Sequence, residues 1–527
     1  MRRIAIGILL VSAVLGTASD ARAVGGDAGV ALRGLNRAVS AQRLSPLDAH
    51  EHRQRVRLAV RVLERLPSDR RDALAGVLRD VAAQASAYDA QRALTLFTTL
   101  ELNAKHLVHD RLPAAGHDVS DGLGVVYRSV HGRGLRFHPL ASFGQLNAYV
   151  TAGRQREATS LAYALLARAH GSGRELTWEY GFRAAGGEPP WTSGMAQAVA
   201  AQALARAGLV PEARLAFSAI PGRLVNERPT GTWIRLYAFS DIAVLNAQLQ
   251  AALSLSDYAR LADDADAALL ATSLRRAALR ALPAFDTGYW SRYALGGSEA
   301  PLSYHQYVTS LLWKLARTTG NRRWAGQAAE FRDDWRRPPA IRGLAARAPA
   351  LPLPRDGFRD AAAIRFWLSK PAHVEVTVAG ESLSRQLGPG LRTLLWEPGE
   401  RRPGRYPVAL TAVDRVGNRT EARLDPVVVA RDSTPPELRA EVAERRLFWR
   451  ARDRETPWLT LELELRRGGA TRVVRLSRSR LAGSHRLELR RPWHATLSGR
   501  DSSGNTTKVA LGRVGPTWRE LAAARVE

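Results

Sequence analysis

Apolar residues recur every three or four positions over the first part of the chain. In RVRLAVRVLERL, Val56, Val60 and Leu63 fall on one face, and Pro67 ends the run. A second run of the same kind extends from residue 74 to residue 81. This spacing follows the 3.6-residue turn of an α-helix. We therefore predict an N-terminal helical region over residues 24–134.

Helical patterns continue in pairs from residue 143 to residue 336. Connections inside the pairs are short, near residues 153–154, 207–210, 256–257 and 320–321, whereas those between pairs are long, at 171–193, 220–237 and 282–302. If the helices run up and down around a ring, the long loops gather at one end. We predict an incomplete α/α barrel, or toroid, over residues 135–345, with a groove at that end. The alternative is a superhelix of tetratricopeptide-like pairs, which REATSLAYALLARAH favours.

The apolar period changes to two after APALPLP, at residues 348–354. HVEVTVAG, YPVALTAVD, LTLELEL and TRVVRLS alternate or are rich in β-branched residues, which is typical of antiparallel strands. A spacer with Pro435 and Pro436 divides this region, and the turn Asp414–Asn418 recurs as Asp501–Asn505. The pattern predicts two β-sandwich modules, over residues 355–431 and 437–520.

The chain is therefore predicted to be multidomain, mainly α and then β. The stretch LLWEPGERRPGRYPVAL and the turn that follows it resemble the Ig-like modules appended to secreted bacterial enzymes. The resemblance implies an Ig-like fold for both modules and little chemistry.

The first residues, MRRIAIGILLVSAVLGTASDARA, have a basic start, a short apolar run and an Ala-x-Ala ending. These features predict a cleaved signal peptide over residues 1–23 and a secreted or extracytoplasmic protein. An uncleaved membrane anchor is the alternative. No later stretch is long and apolar enough for a stable membrane span.

The amino-acid composition and charge limit the classes of partner and cofactor that we predict. The chain has 77 Lys and Arg against 50 Asp and Glu, a net charge of +27, and no cysteine. The charge favours a polyanionic partner, and for an exported protein we rank acidic polysaccharide first; no nucleic-acid motif is present. The alternative is that this charge is solvated surface. The histidines lack metal-ligand spacing and no phosphate-binding glycine loop follows a strand, so we predict no metal and no cofactor.

The three long loops contain aromatic residues between polar ones. They include WEYGFRAAGGEPPW, GTWIRLYAFS and FDTGYWSRYALGGSEAPLSYHQY. Aromatic faces pack against the C–H faces of sugar rings, and neighbouring polar groups bond the hydroxyls. For each aromatic residue taken alone, a position in the core is the better interpretation. Three such loops on one face favour a glycan groove.

Five motifs in order allow a family to be named. RFHPLASFGQLNAY, PWTSGMAQ, the VLN before a helix, FDTGYWSRY, and SYHQY before a helix ending in FRDDW resemble the C-terminal domain of the D-glucuronyl 5-epimerases that act on heparosan. The resemblance covers residues 135–336. It implies an isomerase that inverts carbon 5 of glucuronate units in an acidic polysaccharide by removing one proton and returning another from the opposite face.

The resemblance carries two catalytic tyrosines onto Tyr293 and Tyr304. The arginines of the loops are candidates by position, with solvated surface roles as the alternative. The predicted substrate contacts are Arg183, Trp191, Gln197, Trp233, Arg235, Tyr237, Asn246, Arg292 and His305.

The chain departs from the family at one catalytic position. The family has an acidic pair after the tryptophan of the second loop, whereas here Trp233 precedes Ile-Arg-Leu and then Tyr237. Tyr237 is the nearest titratable residue in that loop that could replace the glutamate. A polysaccharide lyase and a noncatalytic acidic-glycan-binding relative are the alternatives, because elimination begins with the same proton abstraction and an aromatic groove survives loss of catalysis.

Overall fold

A computed structural model describes residues 21–171, 173–345, 348–478 and 481–516. The predicted signal peptide lies outside these ranges except for residues 21–23. The chain divides into two compact units, Met1–Trp335 and Arg336–Glu527. Among the described residues, none of the helices has the length and apolar character needed to cross a membrane.

The first unit is mainly helical, as predicted. A 3-10 turn, Leu282–Phe285, follows the tenth helix. The helices are α1 (Ala21–Ser40), α2 (Pro46–Leu63), α3 (Ser68–Ala83), α4 (Ala90–His109), α5 (Pro139–Thr151), α6 (Gln155–Leu166), α7 (Gly194–Arg206), α8 (Val210–Ser218), α9 (Leu245–Ala262), α10 (Ala265–Ala281), α11 (Leu302–Thr319) and α12 (Arg322–Arg336).

The N-terminal region is not wholly helical, which corrects the prediction for residues 24–134. After α1 to α4, which share one core, comes a three-stranded antiparallel sheet of β1 (Asp118–Ser120), β2 (Val126–Val130) and β3 (Gly134–Phe137). The amide of Asn103 on α4 bonds both the N–H and the C=O of Leu135, each at 2.7 Å. These strands are too short to show a period in the sequence.

The later helices form two rows. Helix α5 packs against α7, α7 against α9 and α9 against α11, while α6, α8 and α10 each pack on the helix before them. This is the paired arrangement that the alternating loop lengths predict. The turn predicted at residues 256–257 is wrong, because the Ser256 hydroxyl donates to the Ala252 carbonyl inside α9 at 2.7 Å. The helix ends instead at Asp263, whose φ is 49°.

Two hairpins lie in the long loops. The first loop contains β4 (His170–Gly171) and β5 (Leu176–Thr177), and the second contains β6 (Val225–Arg228) and β7 (Gly231–Ile234).

The second unit consists of antiparallel sheets in two pairs, and each pair shares one core. The first pair has the orders β11-β10-β13-β14 and β12-β9-β8, and the second has β15-β16-β19 and β18-β17-β20-β21. The strands are β8 (Ile341–Leu344), β9 (Ala362–Leu368), β10 (Ala372–Val378), β11 (Glu381–Leu387), β12 (Gly390–Trp396), β13 (Gly404–Asp414), β14 (Arg419–Val429), β15 (Glu437–Ala443), β16 (Arg446–Arg452), β17 (Leu459–Arg467), β18 (Ala470–Arg478), β19 (Ala482–Arg486), β20 (Trp493–Asp501) and β21 (Thr506–Val514).

The predicted barrel boundary at residue 345 lies too late. Strand β8 pairs with β9, so residues 341–344 complete a sheet of the second unit. The four strands predicted from HVEVTVAG, YPVALTAVD, LTLELEL and TRVVRLS are present as β10, β13, β17 and β18. The classification of the two modules as Ig-like stays a prediction.

The repeated turn forms the same structure in both modules. The Asp414 carboxylate accepts from the main-chain N–H of Asn418 at 2.9 Å and from its side-chain amide at 2.9 Å. Asp501 accepts from Asn505 in the same way, at 2.8 and 2.9 Å. The aspartate and asparagine are needed because they bond each other across the turn.

Three carboxylates crowd together near the second of these turns. Asp432, Asp453 and Glu455 each have a buried carboxylate oxygen without a hydrogen-bond partner among the described residues. Interaction with the Asp432 carboxylate, followed by burial, raises the pKa of Glu455. Burial, with the charges of Asp432 and Asp501, raises the pKa of Asp453. These carboxylates repel one another when all are ionised.

We expect Glu455→Gln to stabilise the protein at neutral pH. The raised pKa means that the native state binds more protons than the unfolded chain, so ionised Glu455 costs stability once the pH exceeds its usual pKa of about 4.3. The gain should be on the order of 1 kcal/mol or less at pH 7 and should vanish below about pH 4, measured by urea unfolding. Glu444→Gln, on an exposed turn, is the control. A loss of stability at pH 7 would contradict the repulsion.

Candidate functional site

The three long loops meet where α7, α9 and α11 begin. The N–H of Gly194, the first residue of α7, donates to the Arg235 carbonyl of the second loop at 2.9 Å. The N–H of Leu295 in the third loop donates to the Ala243 carbonyl, just before α9, at 3.0 Å. The prediction that the long loops share one face is therefore confirmed.

Two glycines allow these loops to approach closely. A Cβ at Gly194 would lie 2.7 Å from the Arg235 carbonyl oxygen, and one at Gly187 would lie 2.2 Å from the ring of Phe239. Both distances are too short for a real side chain, so the contacts require glycine.

Aromatic rings form a wall across the first two loops. The rings of Tyr180 and Trp191 stack with centroids 4.0 Å apart and planes 1° apart. Tyr237 meets Trp191 edge-on at 5.3 Å, and Phe239 stacks on Tyr237 at 5.4 Å. Phe239 is 39% exposed, whereas the other three rings are buried. The wall therefore runs from the core to the surface at Phe239.

A cluster of phenols stands beside this wall. The rings of Tyr293 and Tyr304 lie 4.8 Å apart, and, beyond the effect of burial, the hydroxyl of Tyr293 is near enough to that of Tyr237 to help raise the pKa of Tyr237. Tyr293 is partly exposed and the other two are buried. Burial raises the pKa of all three hydroxyls, which are therefore neutral near pH 7.

Tyr304 links two elements of the site. Its hydroxyl donates to the Tyr293 main-chain carbonyl at 2.8 Å and accepts from the N–H of Asn246, in the first turn of α9, at 3.1 Å. The side-chain oxygen of Asn246 is buried without a hydrogen-bond partner among the described residues. Asn246 thus offers an acceptor next to the phenols.

Four of the predicted substrate contacts lie in the core. Trp233 is fully buried, and Trp191 is buried with its indole N–H donating to the Phe182 carbonyl at 2.7 Å. The amide nitrogen of Gln197 donates to two main-chain carbonyls. His305 is also fully buried; Nδ1 is 2.7 Å from the Ser291 hydroxyl and Nε2 is 2.8 Å from the Phe331 carbonyl. These positions give no support to direct contact with a substrate.

The predicted arginines are bonded within their own loops. Arg183 and Arg235 pair with carboxylates at 2.6 and 3.0 Å, and Arg292 donates to a main-chain carbonyl at 2.8 Å. Their charge is therefore partly neutralised before any ligand arrives. Within the described ranges there is no group of three His, Asp or Glu residues that could hold a metal ion.

Sequence reasoning missed a buried polar group beside the aromatic wall. His138 caps α5 by accepting from the Ala141 N–H at 3.1 Å, and its ring meets Tyr180 edge-on at 5.4 Å. Its Nε2 is 3.3 Å from Arg128, whose guanidinium bonds Asp118 at 2.7 and 2.8 Å. Burial lowers the pKa of His138 well below its usual value, so the ring is neutral. The only sequence clue was a histidine before Pro139 at a helix start.

Comparison with known families confirms the resemblance over part of the chain. Residues 216–333 match the family described as D-glucuronyl C5-epimerase C-terminus. The match includes Tyr237, Asn246, Tyr293 and Tyr304 but not Trp191, and it is shorter than the predicted span. No curated protein matches the chain.

Three solved structures are weakly similar. Endo-β-1,4-glucanase CMCax from Acetobacter xylinum has 13% identity and a TM-score of 0.27, over 40% of this chain and 75% of its own. Cellobiose 2-epimerase from Bacillus thermoamylovorans B4167 has 9% identity and a TM-score of 0.31, over 50% and 73%. Fibronectin(III)-like modules of Clostridium thermocellum CbhA have 12% identity and a TM-score of 0.16, over 33% and 94%. No conclusion about function follows from likenesses this weak.

We expect Tyr304→Phe to destabilise the first unit. The change leaves the buried Tyr293 carbonyl and Asn246 N–H without their partner, which should cost about 1–3 kcal/mol in the free energy of unfolding. Tyr163→Phe removes a hydroxyl from a residue that is 60% exposed and should cost less than about 0.5 kcal/mol. Denaturant unfolding of both variants checks the difference. Equal stabilities would mean that the Tyr304 bonds are not held in solution.

Proposed function

We propose, from the C5-epimerase C-terminal domain that residues 216–333 match, that this protein is an exported uronate-glycan 5-epimerase. It inverts carbon 5 of glucuronate units in an acidic polysaccharide and leaves the chain intact. The net charge of +27 supports a polyanionic substrate, and the sequence of residues 1–23 supports export. The aromatic wall supports a glycan, because its exposed end offers a ring face to a sugar.

The reaction needs two proton-transfer groups. A base takes the proton from carbon 5, next to the carboxylate, and the electron pair moves into the carboxyl group as an enediolate. An acid then returns a proton to carbon 5 from the opposite face. No bond in the polymer backbone breaks, and each group ends in the protonation state from which the other began.

The proximity of Tyr237 and Tyr293 carries this proposal. Beyond the effect of burial, the Tyr293 hydroxyl is near enough to that of Tyr237 to help raise its pKa, and each ring belongs to a different long loop. A sugar ring that enters between them separates the hydroxyls and places one on each face. Tyr237 then takes the place of the glutamate that this chain lacks.

Tyr304 and Asn246 support this pair. Tyr304 was the second catalytic tyrosine implied by the family resemblance, but its hydroxyl proton is donated to the Tyr293 carbonyl. That bond must break before Tyr304 can act on a substrate, so we assign Tyr304 the positioning of Tyr293. The unpartnered side-chain oxygen of Asn246 accepts a hydrogen bond from a sugar hydroxyl.

Helix ends supply positive potential in place of free arginines. Helices α7, α9 and α11, with 13, 18 and 18 residues, all begin at the face where the loops meet. The N-terminal end of a helix carries a partial positive charge. Such ends favour the substrate carboxylate and the enediolate, whose negative charge is spread over the same oxygens.

Exchange in deuterated water tests the proposed activity. An epimerase should introduce deuterium at carbon 5 and invert some units of a glucuronate polymer without shortening it, as measured by NMR and size-exclusion chromatography. A lyase would shorten the polymer and leave an unsaturated, ultraviolet-absorbing end. Tight binding without any exchange would replace the proposal with a noncatalytic glycan-binding role.

Variants that each lack one phenolic hydroxyl identify the two tyrosines that transfer protons. Tyr293→Phe and Tyr237→Phe should each lower inversion at least about 100-fold with little change in polymer affinity, because only a proton-transfer group is lost. Tyr307→Phe is the matched control. Tyr307 lies about one helical turn beyond Tyr304 on α11, and its hydroxyl donates to the Gln250 side chain at 2.8 Å. If Tyr304→Phe abolishes exchange while Tyr237→Phe retains it, Tyr304 rather than Tyr237 is the second group.

The rate should rise with pH. The base must be a phenolate, and burial raises the pKa of both Tyr237 and Tyr293 above the usual value of about 10. The phenolate fraction therefore grows about tenfold per pH unit throughout the range in which the protein stays folded. We expect kcat/KM for exchange to follow this slope from pH 6 to pH 9. A plateau beginning near neutral pH would show that another group is the base.

A further inference from the structure

One face of the second β module carries arginines without carboxylate partners. The outward-facing positions of β15, β16 and β19 alternate with buried ones, and they form the exposed face of the three-stranded sheet. We call this surface the arginine face. Its cationic residues are Arg439, Arg446, Arg450, Arg452 and Arg486.

The strand register places like charges opposite each other on this face. Arg439 of β15 is paired with Arg450 of β16, and Arg446 of β16 with Arg486 of β19. Like charges directly opposite on adjacent strands destabilise a sheet. Among the described residues, Arg446 bonds a neutral partner on this face, donating to the Ser484 hydroxyl at 3.0 Å.

Two carboxylates share the face without cancelling its charge. Glu437 stands opposite Arg452, and Glu441 stands opposite Phe448. Among the described residues, none of the five arginines is within ion-pair distance of a carboxylate. The arrangement leaves repulsion in the folded sheet that an anionic ligand would relieve.

On the other sheet of the same module, two arginines have carboxylate partners. Glu462 of β17 is in register with Arg475 of β18, and the two side chains pair at 3.0 Å. Arg466 likewise pairs with Glu464. Arg472, Arg500 and Arg513 of this sheet have no ion pair among the described residues, but they stand opposite Leu465, Thr460 and His494. The arginine face differs because four of its unpaired arginines stand opposite one another.

We propose that the arginine face binds a carboxylate-bearing polysaccharide. Guanidinium groups bond carboxylates in a two-pronged geometry, and a polymer with repeated carboxylates can satisfy several arginines along adjacent strands. The surface holds the polymer and takes no part in proton transfer. That this polymer is also the substrate of the first unit rests on the proposed function.

The face fits a glycan better than a nucleic acid. Proteins that bind single-stranded nucleic acids without sequence preference stack successive bases on several aromatic side chains. Phe448, 40% exposed, is the one aromatic side chain at the outward positions of β15, β16 and β19. A flat, strongly cationic surface with a single aromatic residue suits regularly spaced carboxylates.

Paired double variants of the full-length protein test this surface. Arg439→Gln with Arg450→Gln removes one opposed pair, and Arg466→Gln with Arg475→Gln removes the same charge from the other sheet. With an unsulfated glucuronate polymer as the probe, the first variant should weaken binding about tenfold and lower the salt dependence by about two released ions. The second should stay within about twofold of wild type, although it leaves two carboxylates unpaired.

The remaining outcomes separate this proposal from the proposed function. Equal losses of affinity in both variants would show that the polymer binds through overall charge, and would overturn the proposal for the arginine face. Displacement of the polymer by single-stranded DNA at equal charge concentration would also overturn it. Thermal unfolding checks the fold: the first variant should melt no lower than wild type, because it removes like-charge repulsion. Exchange at carbon 5 under saturating polymer should be unchanged in both. If only the Arg439 and Arg450 variant loses affinity and the wild-type protein shows no exchange at carbon 5, the binding role of the arginine face is supported and the epimerase function is rejected.

Discussion

The candidate site depends on the hydroxyl of Tyr304. It joins the first turn of α9 to the main chain of Tyr293, so it fixes the third loop against the helix that follows the second. Because both partners are main-chain groups, the link does not depend on the side chains that meet the substrate. Tyr293 can therefore be held in place while its own hydroxyl remains available for chemistry. The requirement for glycine at residue 194 secures the other side of the same site, where the second loop lies against α7.

The arrangement of the loops was predictable because the lengths of the connections between helices can be read from the sequence without knowing where any side chain points. Alternating short and long connections placed the three long loops on one face, and the Asp-to-Asn repeat placed two identical turns. The error at residues 256–257 arose because Ser and Asp favour turns, yet the Ser256 hydroxyl finds an acceptor within the helix. Strands β1 to β3 were missed because three to five residues are too few to establish a period.

The site was less predictable than the loops, for a reason that His305 illustrates. A motif assigns a residue to a segment, but burial and hydrogen bonds decide whether its polar atoms reach a ligand. His305 and Gln197 lie in segments with the family motifs, and both bond main-chain carbonyls inside the core. Conversely, His138 and Tyr180 were not among the predicted site residues, since their proximity arises only when α5 packs beside the first loop. The Tyr237 hypothesis came from a missing glutamate, and it is supported by the nearby Tyr293 hydroxyl, which adds to burial in raising the pKa of Tyr237.

The distribution of positive charge bears on how such an enzyme would work. Arg183 and Arg235 of the long loops pair with carboxylates, whereas the arginines of the arginine face lack carboxylate partners among the described residues. A positive potential beside carbon 5 stabilises the enediolate more than the substrate carboxylate, because the enediolate carries one more negative charge on the same oxygens. In the proposed site, the N-terminal ends of α7, α9 and α11 supply that potential. Affinity for a long polyanion can then come from a surface that takes no part in the chemistry, and the phenols of the first unit can serve proton transfer alone.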